Sequence, residues 1–505
     1  MLIYLKKIIF NANIQHFIVA LFFGSLGQYA FAPYHYYYLI ILNYIILFFQ
    51  IRHVTAKKAF YITLIYHTAY FFFGLHWITV SINNFSEFST ITADLLVLLL
   101  SIYLALFASC AITIGHYYFS YVWYTRVLSY PALFTLSELL REKCFTGFNW
   151  LSLGYSQVDS LLSPIASYLS VYGISLYIIL LAILIVEIIH RHQYALYITL
   201  FCLMSVFFIP TLLPIQTNKS IQVSLIQGNI NQHHKFDNAY YPKIIQTYLD
   251  LIHKSIKDSD LIILSESAIP TITEQALPLL SELNKLAHDN KNFILTGIIE
   301  KEQQKYYNSL LLLGEHQIFN IDNLQKYRKQ HLLPIGEFIP FENLLRKLDT
   351  FFNLPYSSFN SGSAEQPQFK FKSFHVASSI CYEIIFPELI RHQINEYTDF
   401  LITVSNDTWF SQSHGPDQHM QIAQMRNIEL GLPLIRVTND GITGIITNGQ
   451  LIAQLPTQTQ AILQEQITLE QYPTVYKKYG LRFLYIICTL FMLSTIFFYF
   501  TKRKQ

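Results

Sequence analysis

Apolar segments long enough to cross a hydrocarbon core, which takes about 20 residues in a helix, recur from the N-terminus to about Pro214 and then stop. From about Thr217 to Lys478 the sequence is mixed and holds most of the acidic residues. One last apolar span, "FLYIICTLFMLSTIFFYF", runs from Phe483 to Phe500. A chain built this way cannot bury its apolar spans in a single water-soluble domain. The predicted organisation is an α-helical membrane bundle of about seven transmembrane helices over residues 1–216, a layered α/β domain over 217–478, and a C-terminal transmembrane helix with a basic tail over 479–505.

Composition agrees. The chain is 52% hydrophobic and only 13% charged, where soluble domains approach a quarter charged, and its mean hydropathy is +0.32. The net charge of +2 is small, and its lysines and arginines do not gather with aromatics into a stripe, so nucleic-acid binding has no electrostatic footprint.

Basic residues between spans set orientation, because cytoplasmic loops are enriched in Lys and Arg. Lys6 and Lys7 precede the first span, Arg52, Lys57 and Lys58 follow the second, Arg126 lies between the fourth and fifth, and Arg191 separates the sixth and seventh. Lys502, Arg503 and Lys504 close the chain. Every second loop is positive, which predicts about eight spans with both termini cytoplasmic and residues 217–478 on the opposite side. Arg141 and Lys143 fall on the non-cytoplasmic side in this scheme, at the fifth span. The first span has no small-residue cleavage site after it and reads as an uncleaved helix.

Within 217–478, runs apolar at nearly every position ("IQVSLIQGN", "LIILSES", "NFILTGII", "YNSLLLLG", "HVASSIC", "DFLITVS", "LPLIRVT") alternate with helix-period stretches such as "YYPKIIQTYLDLIHKSI". Such runs imply strands covered on both faces. Polar residues end several of them, where the ligands of open α/β sheets gather. Glu266 ends "LIILSE", Cys381 ends "HVASSIC", Asn406 and Asp407 end "DFLITVSND", and the charged segment "KYRKQHLLPIGEFIPFE" supplies Lys329 and Glu337.

The five cysteines (Cys110, Cys144, Cys202, Cys381, Cys488) form no CxxC pair, so neither a disulfide framework nor a zinc site is suggested. In an oxidising compartment a structural cysteine would find a partner, so the solitary Cys381 reads as a thiol kept for its chemistry, against the bland reading of a packed small residue. A thiol needs a base or a positive field to become the attacking thiolate. Glu266 could take its proton, Lys329 could face an oxyanion, and a helix beginning near Pro387 could favour the anion if the thiol points at its terminus. His233, His234, His331, His414 and His419 lack ligand spacing such as HExxH, so neither a metal nor a cofactor is expected.

These residues resemble the nitrilase, or carbon-nitrogen hydrolase, superfamily, whose Glu-Lys-Cys triad occurs in this order on an α-β-β-α sandwich. The similarity extends to its membrane branch, the bacterial apolipoprotein N-acyltransferases. It rests on "SLIQGNINQ", "ESAIP", "KQHLLPIGEFIP", "ICYEIIFP" and "SNDTWFSQSHGPDQHMQIAQMRNIELGLPLIRVTNDG", with "FAPYHYYYL", "GLHWITVSIN" and "TGFNWLSLGYSQ" upstream. The resemblance implies Glu266 as general base, Lys329 as oxyanion-stabilising cation and Cys381 as nucleophile, with Glu337, Tyr382 and Glu383 in support. It also implies a ping-pong N-acyltransferase of the bacterial inner membrane with its catalytic domain in the periplasm. A fatty acyl chain passes from phospholipid through a Cys thioester to the α-amine of the N-terminal diacylglyceryl-cysteine of an apolipoprotein, the last step of lipoprotein maturation. The partners are then a phospholipid donor, the lipoprotein acceptor and membrane lipid, and the chain is expected to act as a monomer.

Two positions depart from the family pattern. Leu264 and Ser265 stand where Trp-Pro often precedes the base, and Phe236 in "HHKFD" stands where a tryptophan often lies. Phe236 is retained as a candidate substrate contact, together with Phe351, Phe352, Tyr356 and Phe359 of "DTFFNLPYSSFNSG", read as an arm leaning into the bilayer surface. Three other readings stay open: a tethered amidase, in which water resolves the acyl-enzyme, a non-catalytic lipid-binding scaffold, and a transporter. The last would call for ionisable residues inside the spans, where Glu187 is the main exception.

Overall fold

The computed structural model describes residues 12–86, 88–209, 212–338, 359–410 and 412–503. The chain divides into two compact units, one comprising Met1–Thr79, Ser89–Thr211 and Thr474–Gln505, the other Val80–Phe88 and Leu212–Pro473.

The first unit is helical. Thr90–Phe119, Ser163–Ile189 and Arg482–Thr501 are long and apolar enough to cross a membrane, and Tyr38–Ile51 and Gln193–Phe207 are shorter apolar helices. The expectation of eight spans rests on hydropathy, and three described helices meet both length and composition. Caps and polar contacts explain part of the difference. Thr55 caps the helix Ala56–Gly74 by accepting the Lys58 N–H, which places two lysines in its first turn and dilutes its hydropathy. The helix Trp123–Lys143 contains Pro131 and turns Arg126, Glu138, Arg141 and Glu142 inward. Each has a partner: Arg126 reaches Glu187 at 2.8 Å, Glu138 accepts the Leu153 N–H at 3.0 Å, Arg141 reaches Ser152 at 2.7 Å, and Glu142 accepts from Tyr172. Glu187, fully buried, also receives Arg52 at 2.6 Å. This is how charge is tolerated within an apolar bundle.

The second unit is a layered α/β domain. Its strands are β1 (Ile215–Gln227), β2 (Leu261–Leu264), β3 (Ile269–Ile272), β4 (Phe293–Glu302), β5 (Lys305–Leu313), β6 (Lys326–Arg328), β7 (Phe369–Phe371), β8 (Phe374–Ile380), β9 (Phe400–Ser405), β10 (Leu434–Thr438), β11 (Gly444–Thr447), β12 (Gln450–Gln454) and β13 (Ala461–Gln471). They form two sheets, ordered β13-β1-β2-β4-β5-β6 with β3 paired to β4, and β12-β11-β10-β9-β8-β7. Each predicted apolar run supplies a strand, and β2, buried at all four positions, lies parallel between β1 and β4.

Side chains from both sheets share one core, with Val223, Leu225 and Ile263 on one side and Val376, Val404, Ile435 and Val437 on the other. The outer face of the first sheet is covered by the helices Tyr241–Ser255 and Thr273–Asp289, through Ile244, Tyr248, Leu251, Ile252 and Leu280. Those residues recur at helical spacing, and each fully buried aliphatic side chain contributes about 1.5–3 kcal/mol. Against the second sheet lies the helix Gly415–Leu430, buried almost throughout. It stops at Gly431, whose φ of +62° is the left-handed conformation of a helix C-cap and whose N–H donates to Asn427 O. The layers run helix, sheet, sheet, helix.

Candidate active site

Strand ends gather the polar residues. Glu266 stands two residues past β2, Lys329 one past β6, Cys381 directly after β8, and Asn406 and Asp407 directly after β9. Gly297 on β4 makes room for the Glu266 loop, since a Cβ there would collide with the backbone of Ser265 to Ser267. All of these groups lie within the second unit.

Glu266, Lys329 and Glu337 form one buried charge cluster. The Lys329 ammonium, 1% exposed, donates to Glu337 Oε1 at 2.8 Å and stands 3.7 Å from Glu266 Oε1. Burial would depress this lysine, but Glu337 and then Glu266 hold it well above its ordinary value, so it remains a cation. Asn308, on β5, bridges the two carboxylates, donating to Glu266 Oε1 at 2.7 Å and to Glu337 Oε1 at 3.0 Å. The other oxygen of Glu266 receives the Asn406 N–H at 2.9 Å, and that of Glu337 receives the Leu333 N–H at 2.7 Å. Both carboxylates are thereby fixed in direction.

Cys381 opens a 3-10 turn, Cys381–Ile385, with a φ of +55°. A left-handed residue with a side chain costs about 1–2 kcal/mol, a strain that turns the thiol out of line with β8. The helix expected near Pro387 is present, but it is a single short one, Pro387–His392, begun six residues after the thiol. Burial first, then the nearby Glu266 charge, pushes the thiol well above its ordinary pKa, while Lys329 and a hydrogen bond with Ser405 oppose the rise. The sulfur therefore rests as a thiol.

Glu383 is fully buried. Oε1 accepts the N–H groups of Gln330 at 2.6 Å and His331 at 3.1 Å, Oε2 accepts Ile380 N–H at 2.7 Å, and the Tyr327 hydroxyl donates to both at 3.0 Å. One side chain thus ties the segment after Lys329 to the turn of Cys381. Burial pushes its carboxyl up to about 7, against the main-chain donors. Tyr382 packs edge-on to Phe386 at 5.3 Å, with His331 at 5.9 Å.

A second polar group lies behind the thiol. Asp407 accepts from Ser405 at 2.6 Å and from Arg436 at 2.7 Å. Burial would raise it, but the Arg436 guanidinium brings it well below the usual carboxylate range. His419 stands 3.2 Å from the Cys381 carbonyl through Nε2, and its Nδ1 lies 3.0 Å from Arg436 and 3.2 Å from Asp407 Oδ1. Burial first, then Arg436, lowers its pKa, while Asp407 and the Cys381 carbonyl oppose the shift.

Of the remaining candidates, Phe359 donates its N–H to the Glu337 carbonyl at 3.0 Å, and Phe236 is half-buried at the end of the short helix Gln232–Lys235. Phe351, Phe352 and Tyr356 lie outside the described residues. Sequence reasoning missed Asn308, Lys235, His419 as a support for Cys381, and Arg436. Asn308 and Arg436 carried a signal, each as a polar residue inside an apolar strand.

Comparison with known proteins gives the family. Residues 222–476 match the carbon-nitrogen hydrolase family, and residues 23–184 match the apolipoprotein N-acyltransferase N-terminal domain. The chain is 37% identical over 491 residues to the apolipoprotein N-acyltransferase of Shewanella oneidensis, covering 94% of each. It is 37% identical over 484 residues to that of Vibrio cholerae, covering 93% of this chain and 94% of the relative. With that of Haemophilus influenzae the figures are 34% over 507 residues, 97% and 96%.

Proposed function

The chain belongs to the apolipoprotein N-acyltransferase family, and on that premise we propose that this membrane acyltransferase moves a fatty acyl chain from phospholipid to the α-amine of a diacylglyceryl-cysteine at the N-terminus of a lipoprotein. The observation that carries the reading is the convergence of a solitary thiol, a carboxylate fixed by two donors and a lysine held as a cation.

In the first step Glu266 accepts the proton of Cys381 as its sulfur attacks the ester carbonyl carbon. The carbonyl oxygen becomes an oxyanion facing the Lys329 ammonium, and a donor of this kind is worth about 3–4 kcal/mol in the transition state. Collapse breaks the ester bond, the leaving alkoxide takes the proton from Glu266, and a lysophospholipid departs from the thioester. In the second step the acceptor amine attacks the thioester carbon and gives a proton to Glu266. The C–S bond breaks, the amide forms, and the thiolate recovers that proton. Dividing one transfer in two lowers each barrier. A thiol that rests protonated needs its base in place at the moment of attack, which is what the fixed Glu266 carboxylate provides.

Residues 217–478 are assigned to the periplasmic side of the inner membrane, between a bundle over 1–216 and an anchor over 479–505, because basic residues mark every second loop. Lipid-anchored substrates fit such a bundle, since both reach the site from the bilayer.

The test uses purified protein in detergent, a phospholipid with a labelled acyl chain and no acceptor. Wild type should carry label that neutral hydroxylamine releases, Cys381→Ala none, and a diacylglyceryl-cysteine peptide should discharge it. Label absent from folded wild type, or discharged by water as fast as by the peptide, would sink the reading.

A further inference from the structure

The short helix Gln232–Lys235 carries two side chains that bear on Glu266, one directly and one through Asn406. Lys235, 2% exposed, donates from its ammonium to the Glu266 main-chain carbonyl at 2.9 Å. Gln232 accepts from the Asn406 side-chain amide at 2.6 Å, and the main-chain N–H of that asparagine is the donor to Glu266 Oε2. The turn therefore holds Glu266 at its backbone and, through Asn406, at one carboxylate oxygen.

Charge points the same way. A buried ammonium is costly unless negative groups face it. Those facing Lys235 from the elements packed against it are Glu266, Asp440 and Cys381. Behind Glu266 stand Lys329 and Glu337, beside Asp440 stands Asp407, and on the turn itself are His233 and His234. Glu266 and Glu337 otherwise share one cation, Lys329, and Lys235 supplies the second. Burial lowers Lys235 to about 8.

Building on the acyl-transfer reading, we propose that Lys235 is a positioning residue: its ammonium fixes the Glu266 main chain so that the carboxylate meets the Cys381 proton, and its charge favours the thiolate as it forms. No proton leaves Lys235 in either step.

Lys235→Met keeps the length and apolar stem without the charge, and Lys235→Arg keeps the charge. In purified full-length protein, iodoacetamide alkylation of the Cys381 peptide is followed by mass spectrometry from about pH 6 to about pH 10. Acyl-enzyme formation is measured in parallel, with thermal unfolding to confirm folding. Lys235→Met should form acyl-enzyme about 10²-fold more slowly at saturating phospholipid, with the half-saturating concentration within about threefold of wild type. Its Cys381 alkylation should fall about tenfold. Lys235→Arg should restore alkylation, and its advantage over wild type should grow above about pH 8, where Lys235 discharges. Alkylation and acylation by Lys235→Met within about threefold of wild type would overturn the proposal. So would slower acylation matched by loss of folded protein with alkylation unchanged. Wild type that alkylates at Cys381 yet takes no label from phospholipid would fail the acyl-transfer reading instead and remove the proposed role with it, while the alkylation series still shows whether this charge acts on the thiol.

Discussion

Glu337 receives the Lys329 ammonium at 2.8 Å, whereas Glu266 stands 3.7 Å from the same nitrogen. The cation is held closely by one carboxylate, and in the proposed mechanism this leaves the other to exchange a proton without releasing it. Two acids of the same type in one buried cluster thus stand at different distances from one cation.

Glu337→Gln should break that division. Its amide nitrogen must face either Leu333 N–H or the Lys329 and Asn308 donors, putting donor against donor at a cost of about 1–3 kcal/mol. Acyl-enzyme formation should fall by about 10²-fold in protein that still folds, read as the initial rate of labelling. A rate close to wild type would show that Lys329 is held without it.

Glu383 should make stability depend on pH. Its carboxyl is raised from 4.5 to about 7, so the native state binds this proton more tightly than the unfolded chain. The associated stability is fully present below pH 4.5 and is lost as pH rises through 7, a change of about 3 kcal/mol at most. Glu383→Gln has no such proton. Unfolding midpoints of the two proteins measured across that window should therefore converge or cross as pH rises, and parallel curves would place the dependence elsewhere.

Arg436→Met should leave Asp407 buried without its guanidinium, with only Ser405 and His419 beside it, destabilising the domain by about 3 kcal/mol. Adding Asp407→Asn should recover part of the loss, because the stranded charge goes with it. Scans at matched rates compare wild type, the two single variants and the double variant, and an additive double variant would deny the coupling.

Cys381→Gly and Cys381→Ala both remove the thiol, but only glycine accepts a φ of +55° without penalty. The glycine variant should be the more stable by about 1 kcal/mol, and both should be inactive. Equal unfolding midpoints would mean that the turn carries no strain.

Much of this site could be read from strand ends. Glu266, Cys381 and Asp407 follow strands that are mostly apolar, and a charged or nucleophilic residue at the end of such a run is visible in any sequence. The burial of Glu383 could not be read locally, because it depends on donors from Gln330 and His331, more than fifty residues earlier in the chain. Lys235 gave no warning at all, since its acceptor is a backbone carbonyl 31 residues away. The fifth span was hard to place for a similar reason: Arg126, Glu138, Arg141 and Glu142 lower hydropathy as if exposed, yet each is paired inside the helical unit.

The pairing of β1 with β13 has a consequence for biosynthesis. Ser224 lies opposite Gln464, 240 residues further along. A ribosome must finish nearly the whole domain before its first strand acquires a neighbour on that side, and long-range pairing of this kind forms slowly. The Glu266 loop and the Cys381 turn are both made well before that strand arrives, so sheet closure is among the last events in maturation. A chain truncated before residue 461 would lack β13 and leave β1 with an open edge prone to aggregation.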